Sequence, residues 1–240
     1  MPNWCDNSVT LRNEDKSKID ALDAVLTNKE DQQVLNHLRP NPTGEWQYDW
    51  SVSNWGTKWD IGIIDWERRD DNEIWISFDS AWSPPTVIYD YLVEQGWEVE
   101  AIYHEPGMGY AGMYSTDGGD DYYEYDVTDP NFLDELPSDI IEFAGLEDSH
   151  REWVINQLED EWGDAERTDW ISAETLPVRD GWYEVTTTGW DFTQFMEFKD
   201  GKWDSYNEIA KWRGLAQDPN WDPVAELEKL KVEFDETKVD

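Results

Sequence analysis

The chain of 240 residues has a single cysteine, Cys5. It can form no internal disulfide, which fits a reducing compartment. Positive charge is scarce: 18 Lys and Arg stand against 56 Asp and Glu, a formal net charge of −38. Such a surplus repels DNA, RNA and anionic membranes and favours basic partners. No Lys or Arg occurs between Arg69 and Arg151. No apolar run approaches the roughly 18 residues of a membrane span. The segment from Met1 to Asn7 has neither a basic region nor an apolar core, so no secretory signal is expected.

Signatures of catalysis are also missing. The histidines, His37, His104 and His150, are far apart and form no HExxH pair, so each is expected at the surface or a strand edge. Cys5 has no second cysteine for a redox pair and is expected to pack beside the first strand. The run Gly56-Thr57-Lys58 lacks the glycine-rich approach and residue order of a phosphate loop, and Lys58 is expected to pair with a carboxylate. The stretch from Asp117 to Asp129 is rich in oxygen ligands, but Tyr122 stands where a calcium loop needs glycine, so a solvated hairpin tip is expected. Two carboxylates could serve glycoside hydrolysis, yet acids are so abundant that no pair is singled out. No catalytic residue, metal or cofactor is expected.

The chain is organised around Asn54 to Pro85. Ile61 to Glu67 and Glu73 to Asp79 alternate apolar and polar residues and read as two half-buried strands of a hairpin. Pro84 and Pro85 then open a helix, since proline is tolerated in the first turn. Asn7 to Arg12 reads as an earlier strand, and Asp15 to Leu26 as a helix with Ile19, Leu22, Val25 and Leu26 at helical spacing. The stretch from Asp31 to Trp50 reads as looser, with Val34, Leu35 and Leu38 ahead of Pro40 and Pro42. After the second helix ends at Gly96, Trp97 to Tyr103 alternates as a fourth strand. Strand, helix, strand, strand, helix, strand is the ferredoxin-like order. Tryptophans crowd this region, from Trp46 to Trp82, and most are expected in the core.

The motifs Pro2-Asn3-Trp4-Cys5-Asp6-Asn7, Asn54-Trp55-Gly56-Thr57-Lys58-Trp59-Asp60, Ser80-Ala81-Trp82-Ser83-Pro84-Pro85 and Tyr103-His104-Glu105-Pro106-Gly107 come in this order. Together they resemble the YubB-type ferredoxin-like family of phages and conjugative plasmids, over about residues 1–127. The resemblance implies a ferredoxin-like fold and a mobile-element origin, and so a protein of the host cytoplasm. It brings no catalytic residues with it.

Tyr110 to Tyr114 and Tyr122 to Val127 read as an extra hairpin, turning at Asp117 to Asp121. Phe132 to Gly145 and Asp148 to Trp162 read as two helices. From Asp169, short strands with polar turns follow, among them Gly181 to Val185, Phe195 to Phe198 and Ile209 to Arg213. Lys199-Asp200-Gly201-Lys202 is a hairpin turn signal. Residues 169–220 are weakly similar to a small phage β domain of unknown function. The expected class is therefore α+β: a ferredoxin-like domain with an added hairpin (1–130), an acidic helical connector (131–166), a small β domain (167–222) and a C-terminal helix or tail (223–240).

Uncompensated charge destabilises a compact state by self-repulsion, and solubility alone does not require this much. At one charge per about 1.7 Å of duplex axis, −38 corresponds to about 65 Å of DNA. The expectation is a DNA mimic that inhibits a basic DNA-binding or nuclease protein of the host. It would use Asp117, Asp120, Asp121, Glu124, Asp126, Asp129, Asp134, Glu135, Glu159, Asp160 and Glu161, with no nucleic acid or membrane bound directly. Set against this are an accessory binding module whose charge serves solubility, and a hydrolase with carboxylates hidden among the rest.

Overall fold

The computed structural model describes residues 3–215, apart from 31, 130 and 191. It is a mixed α and β structure with two antiparallel sheets, and it divides into two compact units, Met1–Trp153 and Val154–Asp240.

The first unit is built on a six-stranded sheet in the order β2-β3-β1-β4-β5-β6. Its strands are β1 (Trp4–Arg12), β2 (Gly62–Arg68), β3 (Glu73–Ala81), β4 (Glu98–Glu105), β5 (Tyr110–Ser115) and β6 (Gly119–Glu124). Alternation fixes the faces: Cys5, Asn7, Val9 and Leu11 of β1 are buried, while Trp4, Asp6, Ser8 and Thr10 look the other way. The helices α1 (Lys16–Thr27) and α4 (Thr86–Glu94) cover the apolar face. Ile19, Leu22 and Leu26 of α1 and Ile88 and Leu92 of α4 pack with Val9, Leu11, Ile74, Ile76, Phe78 and Val99 in one core. Asp15 caps α1 by accepting from Ser17 N at 3.0 Å.

The looser stretch from Asp31 to Trp50 holds α2 (Val34–Leu38) and the start of α3 (Tyr48–Trp55). A five-residue helix has little stability of its own. Asp60, distant in sequence, supplies its cap: its carboxylate accepts from Leu35 N and Asn36 N at 2.9 Å each, and Val34 and Leu35 enter the core. Only tertiary structure brings that cap into place, so local periodicity could not show it.

The extra hairpin is present with a shifted register. Tyr114 faces Asp120 and Tyr110 faces Glu124, so the turn is Thr116 to Gly118 and both Asp120 and Asp121 lie in β6. A 3₁₀ turn (Phe132–Glu135) and α5 (Ser138–Ala144) follow, and α5 packs on β4 and β5 on the sheet face away from α1. A second core lies there, formed by Ala111, Phe132, Leu136, Ile140 and Leu146. The division between the units falls inside α6 (Leu146–Trp162), so the turn and α5 of the expected connector belong to the first unit.

The second unit holds β7 (Ile171–Ser172), β8 (Gly181–Thr187), β9 (Gln194–Lys199), β10 (Lys202–Trp203) and β11 (Ile209–Arg213), in the order β10-β9-β8-β11-β7. Val185, Ile209 and Trp212 form its centre. Asp200 and Gly201 both have positive φ, 52° and 76°, as a two-residue hairpin turn requires. The C-terminal helix or tail expected over 223–240 lies outside the described residues.

Candidate interaction surface

The four sequence motifs meet at one end of the first sheet, where their side chains hold loops together. Asn7 Nδ2 donates to Cys5 O at 2.6 Å and Ser80 Oγ at 2.9 Å. Ser80 Oγ donates to Ser83 O at 2.8 Å, and Ser83 Oγ to Gly56 O at 2.6 Å. Thr57 Oγ1 donates to Ala81 O at 3.0 Å. The buried Glu105 carboxylate accepts from Gly107 N at 3.0 Å and Met108 N at 2.6 Å. Trp82 has a φ of 72°, a costly conformation for a bulky residue. Its backbone is held on both sides, by Asn3 O at 3.0 Å and by the Tyr110 hydroxyl at 2.7 Å. The motifs are thus accounted for as scaffolding, down to the thiol: Cys5 is fully buried, and burial pushes it up to about 12.

Several local expectations need correction. Lys58 lies over the Trp59 ring at 4.6 Å rather than pairing with a carboxylate. His104 is buried on an inner strand, with Nε2 2.5 Å from the Tyr125 hydroxyl, and burial lowers its pKa. Within the tryptophan cluster only Trp55 is buried, while Trp46 and Trp82 are exposed and the others half-buried. Packing at the edge of the core takes up the rings of Trp50 and Trp66.

All eleven acidic residues singled out in the sequence are exposed. Eight lie in the first unit, on the β5–β6 turn (Asp117), on β6 (Asp120, Asp121, Glu124) and in the segment after it (Asp126, Asp129, Asp134, Glu135). Glu159, Asp160 and Glu161 lie near the end of α6, in the second unit. Some have local duties. Asp120 accepts from the Tyr103 hydroxyl at 2.7 Å, and burial raises its carboxyl. Asp126 accepts from Thr128 N and Oγ1, which lowers its carboxyl, and Asp129 accepts from Asn131 N at 2.9 Å.

Among the described residues, the first unit has ion pairs elsewhere. Arg12 binds Glu73 at 2.5 Å and Glu100 at 2.7 Å, Lys16 and Arg68 bind Asp20 at 2.6 and 2.8 Å, and Arg69 binds Glu73 at 3.3 Å. None of the eight hairpin and connector carboxylates of the first unit has a cationic partner among the described residues. No group of His, Cys, Asp and Glu there is arranged to hold a metal ion. No helix among the described residues is long and apolar enough to cross a membrane.

One acidic pair was not singled out in the sequence. Asp6 and Asp79 are direct neighbours across β1 and β3, on the face away from α1. Burial, and then the Asp6 carboxyl, hold Asp79 above the usual range. A raised carboxyl binds its proton more tightly in the folded state, so its ionisation opposes folding at neutral pH. Asp79→Asn should therefore stabilise the unit at pH 7 by up to about 1 kcal/mol, the scale of a cross-strand pair. The gain should fade as pH drops through the raised folded value towards the unfolded one near 3.8, because both forms are then neutral. Thermal melts of both proteins across that range test this, and a loss of stability at pH 7 would refute it. Strand alternation marks Asp6 as outward-facing, but only the register shows Asp79 beside it.

No family model matches the chain, and no curated protein matches it. A solved structure that does match is protein api92 from Yersinia pseudotuberculosis, assigned the family model DUF1281. It is 26% identical over 40% of this chain, with a TM-score of 0.26. The match spans 36% of that protein's length. A likeness of this size assigns neither fold nor function.

Proposed function

We propose that the protein binds and blocks a basic, DNA-handling protein of a host cell, with carboxylates standing where phosphates would stand. It acts by binding rather than catalysis, is carried by a phage or plasmid, and works in the host cytoplasm. The observation that carries this reading is the set of eight exposed carboxylates from Asp117 to Glu135 with no cationic partner among the described residues. Fields of one sign on this scale attract and steer opposite charge. We also take the first unit to be ferredoxin-like with an added hairpin. The succession β1, α1, β2, β3, α4, β4 and the place of β1 between β3 and β4 support this.

A tagged pull-down from host lysate tests the proposal. The expected capture is a DNA-binding or nuclease subunit held at low salt, released at high salt and displaced by added duplex. Salt acts by shortening the Debye length, to about 3 Å at 1 M. Capture that duplex cannot displace would sink the mimicry reading. A second reading has its own support: β6 is an edge strand, and charge on an edge prevents pairing with other chains. On that reading no partner is retained, and neutralising Asp121 and Glu124 causes self-association.

A further inference from the structure

The sheet face opposite α1 is only partly covered. Against the side of α5 it leaves a groove of about 580 Å³, a volume in the range of ligand sites. Ser8, Thr10 and Trp75 form its floor with Met113, and Asp121 and Asp139 stand along the other side. Trp75 is fixed by a hydrogen bond from its indole N–H to Ser8 Oγ at 2.7 Å. Arg69 is part of the groove's lining and Arg12 lies beside it, and both are already committed: Arg12 to Glu73 and Glu100, and Arg69 to Glu73. Asp121 and Asp139 have no cationic partner among the described residues. The open charge of the groove is therefore negative, beside an aromatic and aliphatic floor.

We propose that this groove receives an arginine-bearing segment of a protein partner. This rests on the reading of a basic partner given above and names where a part of that partner docks. A guanidinium matches both features, because it takes planar carboxylates through two parallel hydrogen bonds and also stacks on aromatic rings. Arg69 already places its guanidinium carbon 5.7 Å from the centre of the Trp75 ring, so this ring accepts such a group. Charge complementarity disfavours a second copy of this acidic chain as occupant.

The test uses the full chain and a fluorescein-labelled peptide of alternating arginine and glycine, with a lysine counterpart, followed by anisotropy. Every polycation is drawn to this protein, so the decisive comparison is between variants of equal charge. Asp121→Asn with Asp139→Asn should weaken arginine-peptide binding about tenfold, whereas Asp117→Asn with Asp134→Asn should change it less than about twofold. The lysine peptide should bind more weakly than the arginine one. Equal losses in the two double variants, or no saturable binding, would overturn the proposal.

A second readout does not depend on those variants folding. Cys5 is fully buried, so Ser115→Cys places an accessible thiol beside the groove and Ser53→Cys places one on α3. Saturating peptide should slow maleimide labelling at Ser115→Cys about tenfold and leave Ser53→Cys unchanged. Equal labelling rates, or protection that grows with protein concentration when no peptide is present, would overturn the proposal, the latter by marking a second copy as occupant. Neither measurement involves DNA or a DNA-handling protein, so the groove and the mimicry reading can fail separately.

Discussion

Gly112→Val will unseat the β5–β6 hairpin. Gly112 faces Tyr103 directly across β4 and β5. A Cβ at that position would overlap Tyr103 Oη and Cζ and lie 2.7 Å from Asp121 O. The tyrosine ring crosses the glycine to donate to Asp120 on β6 at 2.7 Å, and Tyr103 is only 1% exposed. Glycine is thus what lets one ring tie three strands together, as when an aromatic covers a glycine in a sheet. Valine forces the ring out, strands its hydroxyl and opens the packing beneath it. Overpacking together with a lost hydrogen bond to a charged group should cost about 3 kcal/mol. Urea unfolding measures the loss, and hydrogen exchange should place it in β5 and β6, with β1 and β3 retaining most of their protection. Stability within about 0.5 kcal/mol of the parent, typical of a neutral surface change, would show that the ring does not hold the hairpin.

Tyr103 also marks the limit of what local sequence rules determine. Elements governed by local rules were legible: the alternation of β1, β3 and β4, the helical stripe of α1, and the Asp-Gly turn between β9 and β10. Asp120 and Asp121 read as turn residues in the sequence, because Asp and Gly cluster there and favour turns. In the folded chain, pairing with β5 and the Tyr103 hydroxyl draw both residues into β6. Likewise α2 depends on Asp60, and the Asp6–Asp79 pair on a register between strands far apart in sequence. Alternation said which residues point outward, but not which outward residues become neighbours. The groove was invisible for the same reason. Ser8, Trp75, Met113 and Asp139 come from four separate elements, and only the order β3-β1-β4-β5 sets them side by side.

Reversing Asp117, Glu124, Asp134 and Glu135 to lysine will abolish capture of a DNA-handling partner while leaving the fold intact. Asp117 lies in the β5–β6 turn and Glu124 ends the edge strand β6, whereas Asp134 and Glu135 lie on the short 3₁₀ turn, and all four side chains are exposed. Tyr122 loses only an exposed contact to Glu124 at 3.1 Å. Asp120, Asp126 and Asp129 are left alone because each holds local structure. Setting like charges against one another across an interface costs several kcal/mol. Four reversals should therefore weaken binding of the captured protein by a factor of about 100 or more at low salt, or about 3 kcal/mol. The matching control reverses Glu14, Glu30, Glu45 and Glu94, all exposed and outside the hairpin and connector. It changes net charge by the same amount, so any difference between the two sets measures position rather than total charge. A tenfold larger loss in the hairpin set means that the carboxylates are presented as a surface. Equal losses mean that the partner senses only the overall field, and the hairpin has no special claim. The groove residues Asp121 and Asp139 are untouched in both sets, so the result stands apart from the peptide experiment. A protein can lose its surface for a DNA-handling partner and still hold an arginine beside Trp75.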